Sequence, residues 1–261
     1  MLSMDIVIIW SMKKYCNEST AMTTKQDVVI FGDVHERFAH YNRMLEDLKP
    51  DLSIACGDFG IWPDYMTGYV PKPKSAMNLL KESTCHTYFV DGNHENFTWL
   101  NNKVDNKFTF HDSFPNDTYN ITHQRRGTIK NINGLNFLFM GGAESIDKQV
   151  RVEGVSWFRD ESITWAEINN TLVDVESNKI NVDVIISHTA PMEFGIVDSY
   201  LETEPSRKLL STLLAALRPK LWFFGHFHTY KTGNHGSCKW VGLDMLPNRN
   251  CYVKLNDFTQ G

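Results

Sequence analysis

Five short segments, in a fixed order along 261 residues, restrict what this chain can become: Gly32-Asp33-Val34-His35, Gly57-Asp58-Phe59-Gly60, Gly92-Asn93-His94-Glu95, Ser187-His188 and Gly225-His226-Phe227-His228. Each follows a short run rich in Val, Ile, Phe or Ala, the composition of a strand buried on both faces, and each offers carboxylate, amide or imidazole groups where that strand ends. Any one of them alone reads as an ordinary turn. Together they require a sheet whose strand ends bring polar side chains to one edge.

The hydrophobic pattern between the segments supplies such a sheet. Residues 27–31 read as a strand, and 37–48 as a helix with Phe38, Tyr41, Met44, Leu45 and Leu48 on one face, stopped by Pro50. Strands over 52–56 and 87–91 follow, with a helix over 75–82 between them, giving a parallel β-α-β start. Asn133-Gly134 between 128–132 and 135–140 is the strongest hairpin signal in the chain, and an antiparallel sheet is expected to begin there. Helices over 164–176 and 206–217, strands over 182–187 and 221–224, and two last strands over 239–243 and 250–255 are expected to complete a second sheet. The expected fold is α+β: two mixed sheets packed face to face with helices outside. Trp62, Trp99, Trp157, Trp222 and Trp240 are expected as core or loop anchors.

The donor types specify the chemistry. Two divalent ions about 3.5–4 Å apart can clamp a phosphoryl oxygen and a hydroxide when one anionic ligand lies between them. Asp58 is the candidate bridge. Asp33 and His35, two apart on one loop, can face one ion with His228, while Asn93, His188 and His226 can face the other. The set holds no thiolate and suits Mn2+ first, or Fe2+, Ni2+ or Zn2+. A hydroxide at the pair attacks phosphorus in line, and His94, beside a ligand, is the candidate general acid for the leaving oxygen.

The remaining composition narrows the setting. With 42% hydrophobic residues the chain can bury a sizeable core, and residues 22–261 are expected as one domain. Residues 1–21, ahead of Met22, read as a mobile leader or a translation-start artefact: Asp5 interrupts the apolar stretch and Lys13 and Lys14 follow it, the wrong order for a signal peptide. Five scattered cysteines without a Cys-x-x-Cys pair fit a reducing cytoplasm. No segment approaches the roughly 20 apolar residues of a membrane span. A net charge of −5 with no basic, aromatic-rich groove argues against stable nucleic-acid binding.

The ordered motifs resemble those of the calcineurin-like metallophosphoesterase superfamily, Gly-Asp-x-His, Gly-Asp, Gly-Asn-His-Glu/Asp, a lone His and Gly-His-x-His, across residues 28–228. The resemblance implies a four-layer sandwich of helices around two β-sheets and a binuclear metal site. One ion would be held by Asp33, His35, Asp58 and His228 and the other by Asp58, Asn93, His188 and His226, with His94 catalytic. Within the superfamily, residues 141–148, Trp157 and residues 187–191 look like small bacterial and phage phosphoesterases.

Departures from relatives sharpen the expectation. Ser/Thr protein phosphatases carry an Asp-Arg pair where this chain has Ile61 and Trp62, so phosphate needs another cation; Arg37, Lys148 and Arg151 are candidates, Arg151 foremost. Glu36 replaces the glycine usual after the first histidine and adds negative charge that disfavours a doubly charged monoester. The expected function is hydrolysis of a small or nucleotide-type phosphodiester, the alternatives being a protein or small-molecule phosphomonoesterase and, in another class, a non-catalytic metal-binding scaffold.

Overall fold

The computed structural model describes residues 25–61, 83–101, 107–109, 118–196 and 204–259. The leader, the helix expected over 75–82, Trp62 and the side chain of Trp99 lie outside the described residues.

Among the described residues, twelve strands form two sheets of six. The first has the order β12-β1-β2-β3-β5-β4, built from β1 (Val28–Phe31), β2 (Leu52–Ala55), β3 (His86–Phe89), β4 (Lys107–Thr109), β5 (Thr118–His123) and β12 (Tyr252–Lys254). The second has the order β10-β11-β9-β8-β7-β6, from β6 (Thr128–Ile132), β7 (Leu135–Met140), β8 (Val184–Ser187), β9 (Leu221–Phe224), β10 (Lys231–His235) and β11 (Cys238–Gly242). Among the described residues the helices are α1 (Phe38–Leu48), α2 (Phe97–Asn101), α3 (Trp165–Ser177), α4 (Pro205–Leu217) and α5 (Asn256–Thr259).

Alternation along the strands builds the layers. In β1, Val29 and Phe31 join the apolar cluster with Phe38, Tyr41 and Leu45 of α1, while Val28 and Ile30 join a second cluster. That second cluster also takes Phe137 and Phe139 of β7, Val184 and Ile186 of β8, and Leu221 and Phe223 of β9, so it lies between the sheets. The alternate residues Leu138, Met140, Ile185, Trp222 and Phe224 pack with Ile168 of α3 and Leu210, Leu213 and Leu214 of α4. Period-two alternation with both faces apolar is what a strand needs when a sheet covers one side and a helix the other. Four layers result.

Two expectations fail. The strand near the C-terminus does not close the second sheet: β12 pairs antiparallel with β1, Ile30 opposite Val253, and so borders the first. Nor is the second sheet antiparallel; β6 with β7 and β10 with β11 are antiparallel, but β7, β8, β9 and β11 run parallel. The hairpin signal specified its own two strands and nothing about the neighbours that long crossovers would bring. Helix starts shift slightly: Thr164 caps α3 in a capping box with Glu167, and Pro205 occupies the first turn of α4. Among the described residues, no helix is long and apolar enough to cross a membrane.

Candidate metal centre

The motif residues follow the C-terminal ends of five parallel-running strands: Asp33 and His35 after β1, Asp58 after β2, Asn93 and His94 after β3, His188 after β8, and His226 and His228 after β9. Because both sheets present those ends at the same edge, side chains far apart in sequence converge. Ligand-capable atoms of Asp33, His35, Asp58 and His228 all lie within 4.8 Å of one another. On the other side of Asp58, His188 Nε2 lies 3.4 Å from Asp58 Oδ1 and 3.2 Å from Asn93 Oδ1. The His226 ring stands 4.8 Å from that of His188, centroid to centroid.

The backbone is bent to allow this. His35, Glu36, Asp58, His226 and His228 all have positive φ, between 41° and 67°. Left-handed conformations are costly for side-chain-bearing residues and persist where surrounding contacts over-determine them. Here the contacts are explicit: Val34 and His35 N–H both donate to Asp58 O, at 3.2 and 2.7 Å, and Glu36 N–H donates to Phe59 O at 3.1 Å. Gly57, at φ 100°, has the His188 ring where a Cβ would stand. At Gly92 the Asp58 carboxylate fills that space. These glycines are required by close approach of the ligand candidates.

Hydrogen bonds aim the donors. His188 Nδ1 donates to Cys56 O at 2.8 Å, which turns Nε2 toward Asp58 and Asn93. Asp58 Oδ1 accepts His94 N–H at 2.8 Å, and Asp33 Oδ1 accepts His226 N–H at 2.9 Å. Glu95 accepts from the N–H groups of Phe59, Gly60 and Ile61 and so holds the loop after Asp58.

The electrostatics call for a cation. Asp33 Oδ2 is buried without a well-formed hydrogen bond, although His228 Nε2 is 2.9 Å and His35 Nε2 3.6 Å away. His35 and His228 point Nε2 at each other across 2.9 Å. Burial raises both carboxyls, but the surrounding imidazoles outweigh it and hold Asp33 and Asp58 below the usual carboxylate range. Burial disfavours a charged His188, yet Asp58 and Asp33 carry it up to about 10. Buried carboxylates that hold a neighbouring imidazole protonated offer the same negative field to a divalent ion, which would displace that proton. The oxygen and nitrogen donor set fits borderline divalent ions.

His94 is part-buried beside this cluster, its ring 5.4 Å from that of His35. Arg151 Nη1 lies 3.4 Å from His94 Nδ1, and Nη2 lies 3.4 Å from Nε2. One guanidinium thus lies against both nitrogens of the ring. Arg151 is itself fixed by Asp147, at 2.7 Å, and by donating to Ser156 O at 3.2 Å. Burial first, and then the charge of Arg151, hold His94 below the ordinary imidazole value against the pull of Asp58.

The other candidate cations are solvent-exposed. Arg37 is exposed at the start of α1, and Lys148, also exposed, pairs with Glu144 at 3.4 Å. Ile61 is fully buried in the core next to α1, which removes it from any phosphate-binding role. Trp222 and Trp240 are core residues as expected, whereas Trp157 is half-buried and donates to Glu161. Sequence reading passed over Asp91, which accepts from Arg126 at 2.7 Å and His123 at 3.0 Å, and also Ser145, Glu161 and Glu204. The only hint of these was the glycine-rich segment 141–148, because single polar residues in loops carry no periodicity.

A family model described as calcineurin-like phosphoesterase matches residues 27–230. No curated protein matches by sequence. Among solved structures, TT1561 of Thermus thermophilus is similar, with a TM-score of 0.52 and 13% identity over 85% of this chain and 91% of that one. A candidate 5'-nucleotidase from Staphylococcus aureus, solved with alpha-ketoglutarate, has a TM-score of 0.50 and 13% identity over 84% of this chain and 48% of its own. At such identities the likeness is one of fold.

Proposed function

We propose that this chain, which belongs to the calcineurin-like phosphoesterase family and is a metal-dependent phosphoester hydrolase, acts on a small or nucleotide-type phosphodiester. The observation that carries the reading is the position of Asp58. Its Oδ2 faces His35 at 3.7 Å and its Oδ1 faces His188 at 3.4 Å, so one carboxylate is shared by two groups of donors. Asp33, His35, Asp58 and His228 would hold one ion, and Asp58, Asn93, His188 and His226 the other. Bound divalent ions, with Mn2+ first and Fe2+, Ni2+ or Zn2+ as alternatives, would supply Lewis acidity toward a water nucleophile and the phosphoryl oxygens.

The chain's own residues do the rest. His94 delivers a proton from a ring nitrogen to the leaving oxygen, its main chain tied to Asp58 and its ring held against Arg151. Arg151 adds one fixed positive charge beside the reacting phosphorus, and its anchorage to Asp147 limits its motion. A single fixed guanidinium matches the single negative charge of a diester better than the double charge of a monoester. The free, buried cysteines Cys56, Cys85, Cys238 and Cys251 support a reducing, cytoplasmic setting.

The test is hydrolysis of bis(para-nitrophenyl) phosphate against para-nitrophenyl phosphate by Mn2+-loaded protein, with Asp58→Asn as blank. Diester preference, abolished in Asp58→Asn, is expected. Monoester preference would replace the diesterase reading by a phosphatase one, and full activity of Asp58→Asn would remove the bridging carboxylate from the mechanism.

A further inference from the structure

An asparagine can offer a cation only its Oδ1; the other end of the amide, Nδ2, carries two protons and repels it. Which end of Asn93 faces the site therefore matters as much as where Asn93 stands. The answer lies on the far side of the amide, in the loop between β7 and α3. Asn93 Nδ2 donates to Ser145 Oγ at 3.2 Å, while Oδ1 is turned to His188 Nε2 at 3.2 Å.

Ser145 has a single hydroxyl proton, and the structure commits it. Ser145 Oγ donates to Glu161 Oε2 at 2.8 Å. Glu161 is fully buried, and its Oε1 accepts from Ser145 N–H at 2.6 Å and from Trp157 Nε1–H at 2.7 Å. A backbone N–H and an indole N–H can only donate, so Oε1 is held as an acceptor, and Oε2 is left to take the Ser145 hydroxyl proton. The Glu161 main chain is fixed in turn, its carbonyl accepting from Ala143 N–H at 3.0 Å and Arg126 Nη2 at 2.9 Å. With its proton given to Glu161, the Ser145 hydroxyl can only accept from Asn93.

We infer that Ser145 and Glu161 are positioning residues that fix the Asn93 amide with Oδ1 toward the second ion, by a one-way relay of hydrogen bonds from Asn93 to Ser145 to Glu161. The inference rests on the ligand reading above. Outer partners of this kind commonly contribute about 10–100-fold in metal affinity.

Glu161→Gln tests the direction of the relay with almost no change of shape. The glutamine oxygen keeps the two N–H donors, which leaves its NH2 where Oε2 stood. That NH2 donates to Ser145 Oγ, and the displaced hydroxyl proton turns on Asn93 Nδ2, so the amide is driven to turn over. Calorimetric titration of metal-free protein with Mn2+ should show the second ion weakened about 10–100-fold and the first unchanged. Ser145→Ala alone removes one neutral hydrogen bond and should weaken the second ion by only about five- to tenfold. In the double variant no hydroxyl proton opposes Asn93, and affinity should recover to that of Ser145→Ala.

Wild-type protein that binds fewer than two ions would refute the ligand reading itself, independently of the relay. Two ions bound by wild type and equally well by Glu161→Gln would overturn the relay, as would a double variant no better than Glu161→Gln. Circular dichroism and the melting midpoint of the metal-free proteins report folding. Should Glu161→Gln not fold, Ser145→Ala decides: selective loss at the second ion supports the relay, and unchanged affinity overturns it.

Discussion

Replacing Arg126 by methionine should cost this fold several kcal/mol, on the order of breaking a buried ion pair. The guanidinium is nearly buried and donates to Asp91 Oδ2 from Nε and Nη2, to the carbonyls of Asp160, Glu161 and Ser162, and to Glu167. Methionine fills much of the volume and satisfies none of these acceptors. Breaking a buried pair by removing one partner costs about 3–5 kcal/mol, and here the remaining Asp91 charge stays buried with His123 as its neighbour. Glu167, a third exposed, adds little. For a domain of this size that corresponds to a melting point lower by roughly 6–20 °C.

Acidity adds a second check on Arg126→Met. In wild type, burial raises the Asp91 carboxyl, but Arg126 and His123 outweigh it and hold it below the usual range. A depressed carboxyl contributes stability that is present above its unfolded value near about 3.9 and is lost as pH falls through the folded one. Without Arg126 the effect of burial is less opposed and the folded value rises. The deficit of the variant should therefore be largest near neutrality and shrink as pH falls toward about 4 and below. Denaturant unfolding of metal-free protein at several pH values measures both quantities, and Asp91→Asn in the Arg126→Met background should recover part of the loss. A deficit under about 1 kcal/mol, or one that grows on acidification, would refute the reasoning.

Gly57→Ala places a methyl group against the His188 ring at a left-handed φ, and should cost at least about 1–2 kcal/mol and weaken Mn2+ binding; an unchanged melting point would contradict the close approach. Tyr41→Phe removes a buried hydroxyl shared with Ser53 of β2 and Thr87 of β3, and should destabilise by about 1–2 kcal/mol in chemical denaturation without affecting turnover. Arg151→Gln should lower turnover of bis(para-nitrophenyl) phosphate about tenfold or more while leaving the melting point within 2 °C or so, and unchanged turnover would remove Arg151 from the site.

Much of this protein was legible along the chain. Alternating or continuous apolar runs marked β1, β2, β7, β8 and β9, since a strand buried on both faces needs apolar residues at nearly every position. Asn133-Gly134 gave the β6–β7 hairpin to the residue, because a type I′ turn needs φ above zero at both positions and both have it. The motif residues were legible for a local reason too: each sits a few positions past a strand, so strand recognition alone put them at an edge.

Partnership was decided only in three dimensions. The β12 sequence is as compatible with the second sheet as with the first, and nothing within Tyr252–Lys254 records that β1 is its neighbour. β10, with Lys231, Thr232, Gly233, Asn234 and His235 mostly exposed, carries no apolar pattern and is a strand because β11 pairs with it. Ser145 and Arg126 stand 52 and 35 residues along the chain from Asn93 and Asp91, and acquire roles only once their loops are laid beside those partners. Local pattern reports the environment a residue must have, buried or exposed, strand or turn. The choice of partner is a property of two distant segments at once, and packing of the whole core selects it.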